Sequence, residues 1–229
     1  ADGGARIDNL GFAADYPPAT SPAEWIPTST IALQQTPLLP DWGRNRPFAM
    51  PPDSACRLPG PTPYSEDAGT PFHAEAMEVY ETAQRLSDEQ AAIARFWADD
   101  AMLSRTPPGH WVSIALAELD REGGGLARRA DVLARVGIAV ADAFIACWHD
   151  KFAYRLVRPV TYIRRNIDPS WTPLLSTPPF PEYPSGHSTV SGAAAEVVTA
   201  LFAEYHAFED RGTSAEGLPP RSFSSFRAA

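Results

Sequence analysis

An all-α fold, a bundle of helices behind an extended Pro-rich arm, is what this 229-residue sequence predicts. Three observations lead there. Apolar residues recur at helical spacing from about residue 73 onward. No strand-type alternation persists anywhere. The prolines are unevenly spread: thirteen of the 24 lie before residue 72, only Pro107 and Pro108 lie between there and 158, and seven fall between 159 and 184. Proline fixes φ and donates no backbone hydrogen bond, so residues 1–72 read as extended, turn-rich polypeptide. They carry Trp25, Trp42 and Phe48, and disordered segments are poor in aromatics. The expected organisation is therefore an arm over 1–72 packed on a helical domain over 73–229.

Taken in order, His73 to Tyr80 is the first helix candidate. Ser87-Asp-Glu-Gln90 matches a capping box ahead of Ala92, Ile93, Phe96 and Trp97 at helical spacing. Pro107-Pro108-Gly109 punctuates, and a helical pattern resumes from Trp111 to Leu119. Gly123-Gly124-Gly125 is a break. The longest candidate runs from about Leu126 to Val157, with Val132, Val136, Val140, Phe144 and Cys147 apolar, and Pro159 stops it. Residues 167–184 form a Pro-rich loop of a length that often carries function. A helix opens near Ser185 and runs through Leu201, His206 to Pro220 reads as loop, and Ser222 to Ala229 reads as the start of a further helix.

The composition excludes several classes. Nineteen Lys and Arg against 28 Asp and Glu leave a formal charge of −9, which disfavours nucleic acid as a partner. Apolar runs are broken by charges well short of a membrane span. Cys56 and Cys147 are too few for a disulfide framework or a Cys-based metal site. Both read as isolated thiols, with Cys147 buried on the long helix. The expectation is a soluble protein, secretion and oligomeric state being left open. His73 and His149 read as surface or structural residues, and the acidic pairs Asp99-Asp100 and Glu209-Asp210 as solvated charges.

Two short constellations suit an oxyanion. Lys151 and Arg158, seven residues apart on one expected helix, leave the same face about 10 Å apart along the axis. A planar fork and a compact charge together suit a tetrahedral oxyanion. The same spacing also suits a solvated face, strengthened by Arg155, Arg164 and Arg165 nearby. Pro184-Ser185-Gly186-His187 stands where a loop becomes a helix, and a helix N-terminus presents free N–H groups and a positive dipole end. Gly186 lets backbone approach closely, and His187 titrates near neutrality. A plain Ser cap with an incidental His also fits.

Lys151-x6-Arg158-Pro159 followed by Pro184-Ser-Gly-His187 resembles the first two signature motifs of the superfamily joining vanadium-dependent haloperoxidases with type 2 phosphatidic acid phosphatases and bacterial acid phosphatases. The resemblance runs from about residue 90 onward, and Thr106-Pro-Pro-Gly-His-Trp111 is similar to soluble bacterial members on the haloperoxidase side. It implies the helical bundle of that superfamily. It also implies that Lys151, Arg158, Ser185 and the Gly186 amide bind the oxygens of vanadate, or of phosphate in a phosphatase. His187 would be the catalytic acid/base. Trp148, three before Lys151, and Phe180, seven before His187, match the halide-pocket positions of the fungal chloroperoxidase branch. The implied partners are hydrogen peroxide, a halide and a small organic substrate. An acid phosphatase on the same scaffold and a non-catalytic anion-binding module are the alternative readings.

The superfamily's third motif, Ser-Arg-x5-His-x3-Asp, carries the histidine that bonds vanadate covalently. No such motif follows His187: the only later histidine is His206, with Ala200 six residues before it. Ser104-Arg105-x4-His110 precedes the first motif and has the wrong spacing. The Ala1 opening and the apparent helix start at the end lead to the expectation of a fragment, inactive alone.

Overall fold

The computed structural model describes residues 16–29, 35–51, 57–99, 104–213 and 217–229. Among them run α1 (Pro71–Gln84), α2 (Asp88–Phe96), α3 (Thr106–Glu122), α4 (Leu126–Tyr154), α5 (Pro159–Asn166) and α6 (Gly186–Leu201). Two three-residue strands, β1 (Phe208–Asp210) and β2 (Arg221–Phe223), pair antiparallel with Phe208 opposite Phe223. The helical expectation holds, and the boundaries show why. The Ser87 side chain accepts from the Gln90 N–H at 3.2 Å while the Gln90 side chain accepts from the Ser87 N–H at 2.9 Å, the capping box that opens α2. Gly123, at φ 69°, closes α3 in the left-handed conformation that glycine takes without steric cost.

Three expectations need correction. Pro107 and Pro108 do not interrupt a helix: they sit in the first turn of α3, where the missing N–H has no intrahelical partner to lose. The long helix stops at Tyr154 rather than Val157. Arg155 turns into the left-handed region at φ 50°, and Arg158 is extended, as a residue before proline prefers. The released segment pairs with the N-terminal part of the chain: Trp25 N–H donates to Arg155 O at 2.7 Å, Val157 N–H donates to Ala23 O at 2.8 Å, and Glu24 bridges Leu156. Residues 222–229 do not begin an α-helix. They complete β2 and a single 3-10 turn at Phe226–Ala228.

The chain divides into two compact units, one made of Ala1–Arg46, Ala55–Ala98 and Ala146–Ser185, the other of Pro47–Ser54, Asp99–Ile145 and Gly186–Ala229. In the first, α1 packs on α5 through Phe72, Ala76, Val160, Tyr162 and Ile163, joined by Val157 and Trp171. Pro-rich segments lie against this unit's part of α4. Tyr154 Oη donates to Leu58 O at 2.8 Å and Trp148 Nε1 donates to Leu38 O at 3.2 Å. Gly43 approaches so closely that a Cβ there would stand 2.3 Å from the His149 backbone nitrogen. Gly43→Ala is therefore expected to destabilise the fold by about 2–3 kcal/mol. Urea unfolding measures it, and a midpoint unchanged from the parent would refute the close approach.

In the second unit α3 packs on α6, with Trp111, Ile114, Leu119, Val190 and Val198 buried and Trp111 Nε1 donating to Ser191 Oγ at 2.8 Å. The buried Asp142 carboxylate receives the successive N–H groups of Phe48, Ala49 and Met50 at 2.6–2.7 Å, which satisfies three donors in a segment with no regular structure. Among the described residues, no helix is long and apolar enough to cross a membrane.

Candidate functional site

Lys151 and Arg158 come together, but not along a helix face. Lys151 is in the last turn of α4, and Arg158 is the residue before α5. The expected same-face arrangement is therefore replaced by convergence on a third element, the loop at 180–184. The Lys151 ammonium donates to three carbonyls of that loop, Pro181 at 2.8 Å, Glu182 at 2.9 Å and Pro184 at 2.6 Å. Arg158 donates from Nε to Phe180 O and from Nη1 to the Glu182 carboxylate, both at 2.6 Å. Glu182 is tied at its own backbone as well, its N–H donating to Leu156 O at 3.0 Å.

Both cations are buried, Lys151 to 1% exposure, which contradicts a solvated face. Burial pushes the Lys151 ammonium down to about 8, and the nearby Arg158 charge pushes the same way. Burial also lowers Arg158, with the Glu182 carboxylate opposing it. Two cations and one carboxylate leave this cluster a net charge of +1. The second terminal nitrogen of Arg158, Nη2, is buried and has no acceptor among the described residues. A buried guanidinium nitrogen without a partner forfeits its hydration and gains nothing in return.

Trp148 and Phe180 join the same cluster. Their ring centroids are 5.0 Å apart. Lys151 Nζ stands 5.1 Å from the Phe180 centroid and 5.7 Å from that of Trp148, and the Arg158 guanidinium carbon is 4.8 Å from Phe180. The negative ring faces thus attract both cations. Cys147, buried as the sequence suggests, points its thiol at Pro184 O at 3.8 Å. Ser185 is exposed on the loop side of the Ser185-Gly186 bond, and Gly186 and the exposed His187 begin α6 in the other unit.

The sequence reading missed a second buried cluster, wholly within the other unit. His110, 1% exposed, offers Nδ1 to the two Asp99 oxygens at 2.9 and 3.0 Å and Nε2 to Asp210 at 2.7 Å. Asp99 and Asp210 are buried, correcting their reading as solvated charges; Asp100 and Cys56 lie outside the described residues. Both ring nitrogens face carboxylates, so only the imidazolium donates to both. Burial opposes that charge, but the hydrogen bonds His110 donates to Asp210 and Asp99 outweigh it and hold His110 up to about 9. Nearby, His206 lies against the buried Glu118 at 2.5 Å and stacks on Phe226. Ser104-Arg105-x4-His110 was rejected as a ligand motif on spacing, and His110 has both nitrogens committed to these aspartates. Glu182 was overlooked too, since a lone glutamate among prolines gives no periodic signal.

Comparison with known proteins agrees with this architecture. Residues 131–222 match the family model of the VCPO second helical-bundle domain. Vanadium chloroperoxidase of Curvularia inaequalis is 31% identical over 142 residues, which is 50% of this chain and 23% of that protein. The crystal structure described as the first bacterial vanadium-dependent iodoperoxidase superposes with a TM-score of 0.85 and 39% identity, over 95% of this chain and 53% of that one. A holo-type bacterial vanadium-dependent chloroperoxidase shares the fold, with a TM-score of 0.72 at 18% identity over 94% of this chain and 56% of that one. The chain is thus similar to the vanadium haloperoxidases over residues 131–222 and shares the helical architecture of the solved ones. It spans about half the length of these solved relatives and about a quarter of the curated one.

Proposed function

We propose that this chain supplies the oxyanion cradle of a vanadate-dependent haloperoxidase that oxidises a halide with hydrogen peroxide. The single observation that carries the reading is the buried, uncommitted Nη2 of Arg158 beside the equally buried Lys151. The donor set fits vanadate: the cluster is cationic, largely sheltered from water, and holds a free charged donor where an oxygen would complete the pairing. Bound vanadate would supply the electrophilic centre at which peroxide becomes reactive toward halide.

The chain's own residues divide the remaining work. Arg158 binds one oxygen through Nη2, with Phe180 O and Glu182 holding the guanidinium plane. Lys151 reaches another oxygen by exchanging one of its three carbonyl partners. Ser185 is a further oxygen donor that the family motif suggests. Trp148 and Phe180 form the apolar wall beside which a halide sheds its water. These residues hold the oxyanion by charge and hydrogen bonds. An acid phosphatase would use the same cradle for phosphate.

Titration calorimetry with vanadate tests the proposal: saturable, one-to-one binding is expected, and no binding to the folded chain refutes it. The pH dependence adds a signature. Lys151 is charged below about 8 and loses its proton above, so anion affinity should fall as pH rises through that value. Tungstate, a tetrahedral oxyanion that stays ionised across this range, isolates the protein's part. Tungstate affinity that is flat from pH 7 to 9.5 would remove Lys151 from the cradle.

A further inference from the structure

Glu182 occupies an unusual place. Its carbonyl oxygen accepts from Lys151, its N–H donates to Leu156 O, and its carboxylate takes Nη1 of Arg158. One residue thus touches both cations, by its backbone and by its charge. A guanidinium binds an oxyanion in two-pronged fashion either across Nη1 and Nη2 or across Nε and Nη2. Phe180 O takes the single Nε hydrogen and Glu182 one of the two on Nη1, so of the three nitrogens Nη2 alone has no partner. The Glu182 carboxylate also cancels one of the two positive charges.

We propose that Glu182 sets the charge selectivity of the cradle, favouring a singly charged tetrahedral oxyanion over a doubly charged one. This rests on the reading of Lys151 and Arg158 as an oxyanion site. The physical argument is a sum of charges. A cradle of net +1 neutralises a monoanion; a dianion leaves a net negative charge in a desolvated cluster and faces the carboxylate with twice the repulsion. Dilute vanadate near neutral pH is chiefly the monoanion, whereas inorganic phosphate at pH 7.5 is mostly the dianion. Glu182 therefore discriminates between the two anions that a haloperoxidase and a phosphatase respectively require, although their shapes are nearly the same.

The test compares the full chain with Glu182→Gln and Glu182→Ala at pH 7.5, measuring vanadate and inorganic phosphate binding by calorimetry, with circular dichroism to establish folding. Both variants are expected to bind phosphate about tenfold more tightly than the parent and vanadate only about two- to threefold more tightly, narrowing the preference. Equal gains for the two anions would overturn the selectivity. So would an unchanged Glu182→Gln with a weakened Glu182→Ala, which would make Glu182 only a positioning residue for Arg158. If the folded parent and both variants bind neither anion, the oxyanion site itself falls; if the parent binds and the ratio does not move, only the role of Glu182 falls.

Discussion

Replacing His110 by leucine is expected to cost about 3–5 kcal/mol of unfolding free energy at pH 7, the range for removing one partner from a buried charge cluster. Asp99 and Asp210 are both buried and both face the imidazole, so the substitution leaves two buried carboxylates with no cation between them. The parent protein carries a matching pH signature. His110 is raised from 6.5 to about 9, so between those values the folded state keeps a proton that the unfolded chain releases. The stabilisation is complete below pH 6.5 and is lost as pH rises through about 9, a difference on the order of 3 kcal/mol. Urea unfolding from pH 6 to 10 measures both effects. In His110→Leu the loss of stability between pH 6.5 and about 9 should disappear with the imidazole that causes it. A parent protein equally stable at pH 7 and pH 10 would contradict the imidazolium pairing.

Lys151→Met should have the largest effect on ligand binding, about a hundredfold loss of vanadate affinity. Methionine keeps the length and apolar stem of lysine and removes every donor. The loop carbonyls of Pro181, Glu182 and Pro184 then lose their shared ammonium. Unsatisfied buried acceptors are costly, but the variant no longer desolvates a charge, so the net loss of stability should be about 2 kcal/mol. The pH signature separates the two roles: the fall in tungstate affinity through about pH 8 should vanish together with the ammonium. Calorimetry on the folded variant decides the matter. Affinity within threefold of the parent would mean that Lys151 only ties the loop down.

Much of the fold was legible because helices announce themselves locally. The Ser87 capping box, the Gly123 break and the apolar spacing through Val132, Val136 and Val140 each depend on residues within a turn or two. The errors fell where distant partners decide. Nothing local says that Arg155 leaves the helix, because the stretch that follows is claimed by residues 23–25, more than a hundred positions away. The short β1–β2 pair was missed for the same reason: three residues are too few to show an alternation. Asp99 and Asp210 looked solvated because their partner, His110, stands 11 and 100 residues distant.

By itself the sequence determined that this is a helical protein carrying two motifs that resemble those of the vanadium haloperoxidase superfamily, since residue type and short spacing suffice for both. Only the tertiary structure decided how Lys151 and Arg158 meet, through the carbonyls and the glutamate of the 180–184 loop rather than along one helix. It also decided which charges are buried, and therefore which are costly to leave unpaired. The physical reason is common to both. Desolvation and hydrogen-bond geometry depend on what surrounds a group in space, and spacing along the chain carries that information only within a helical turn or two.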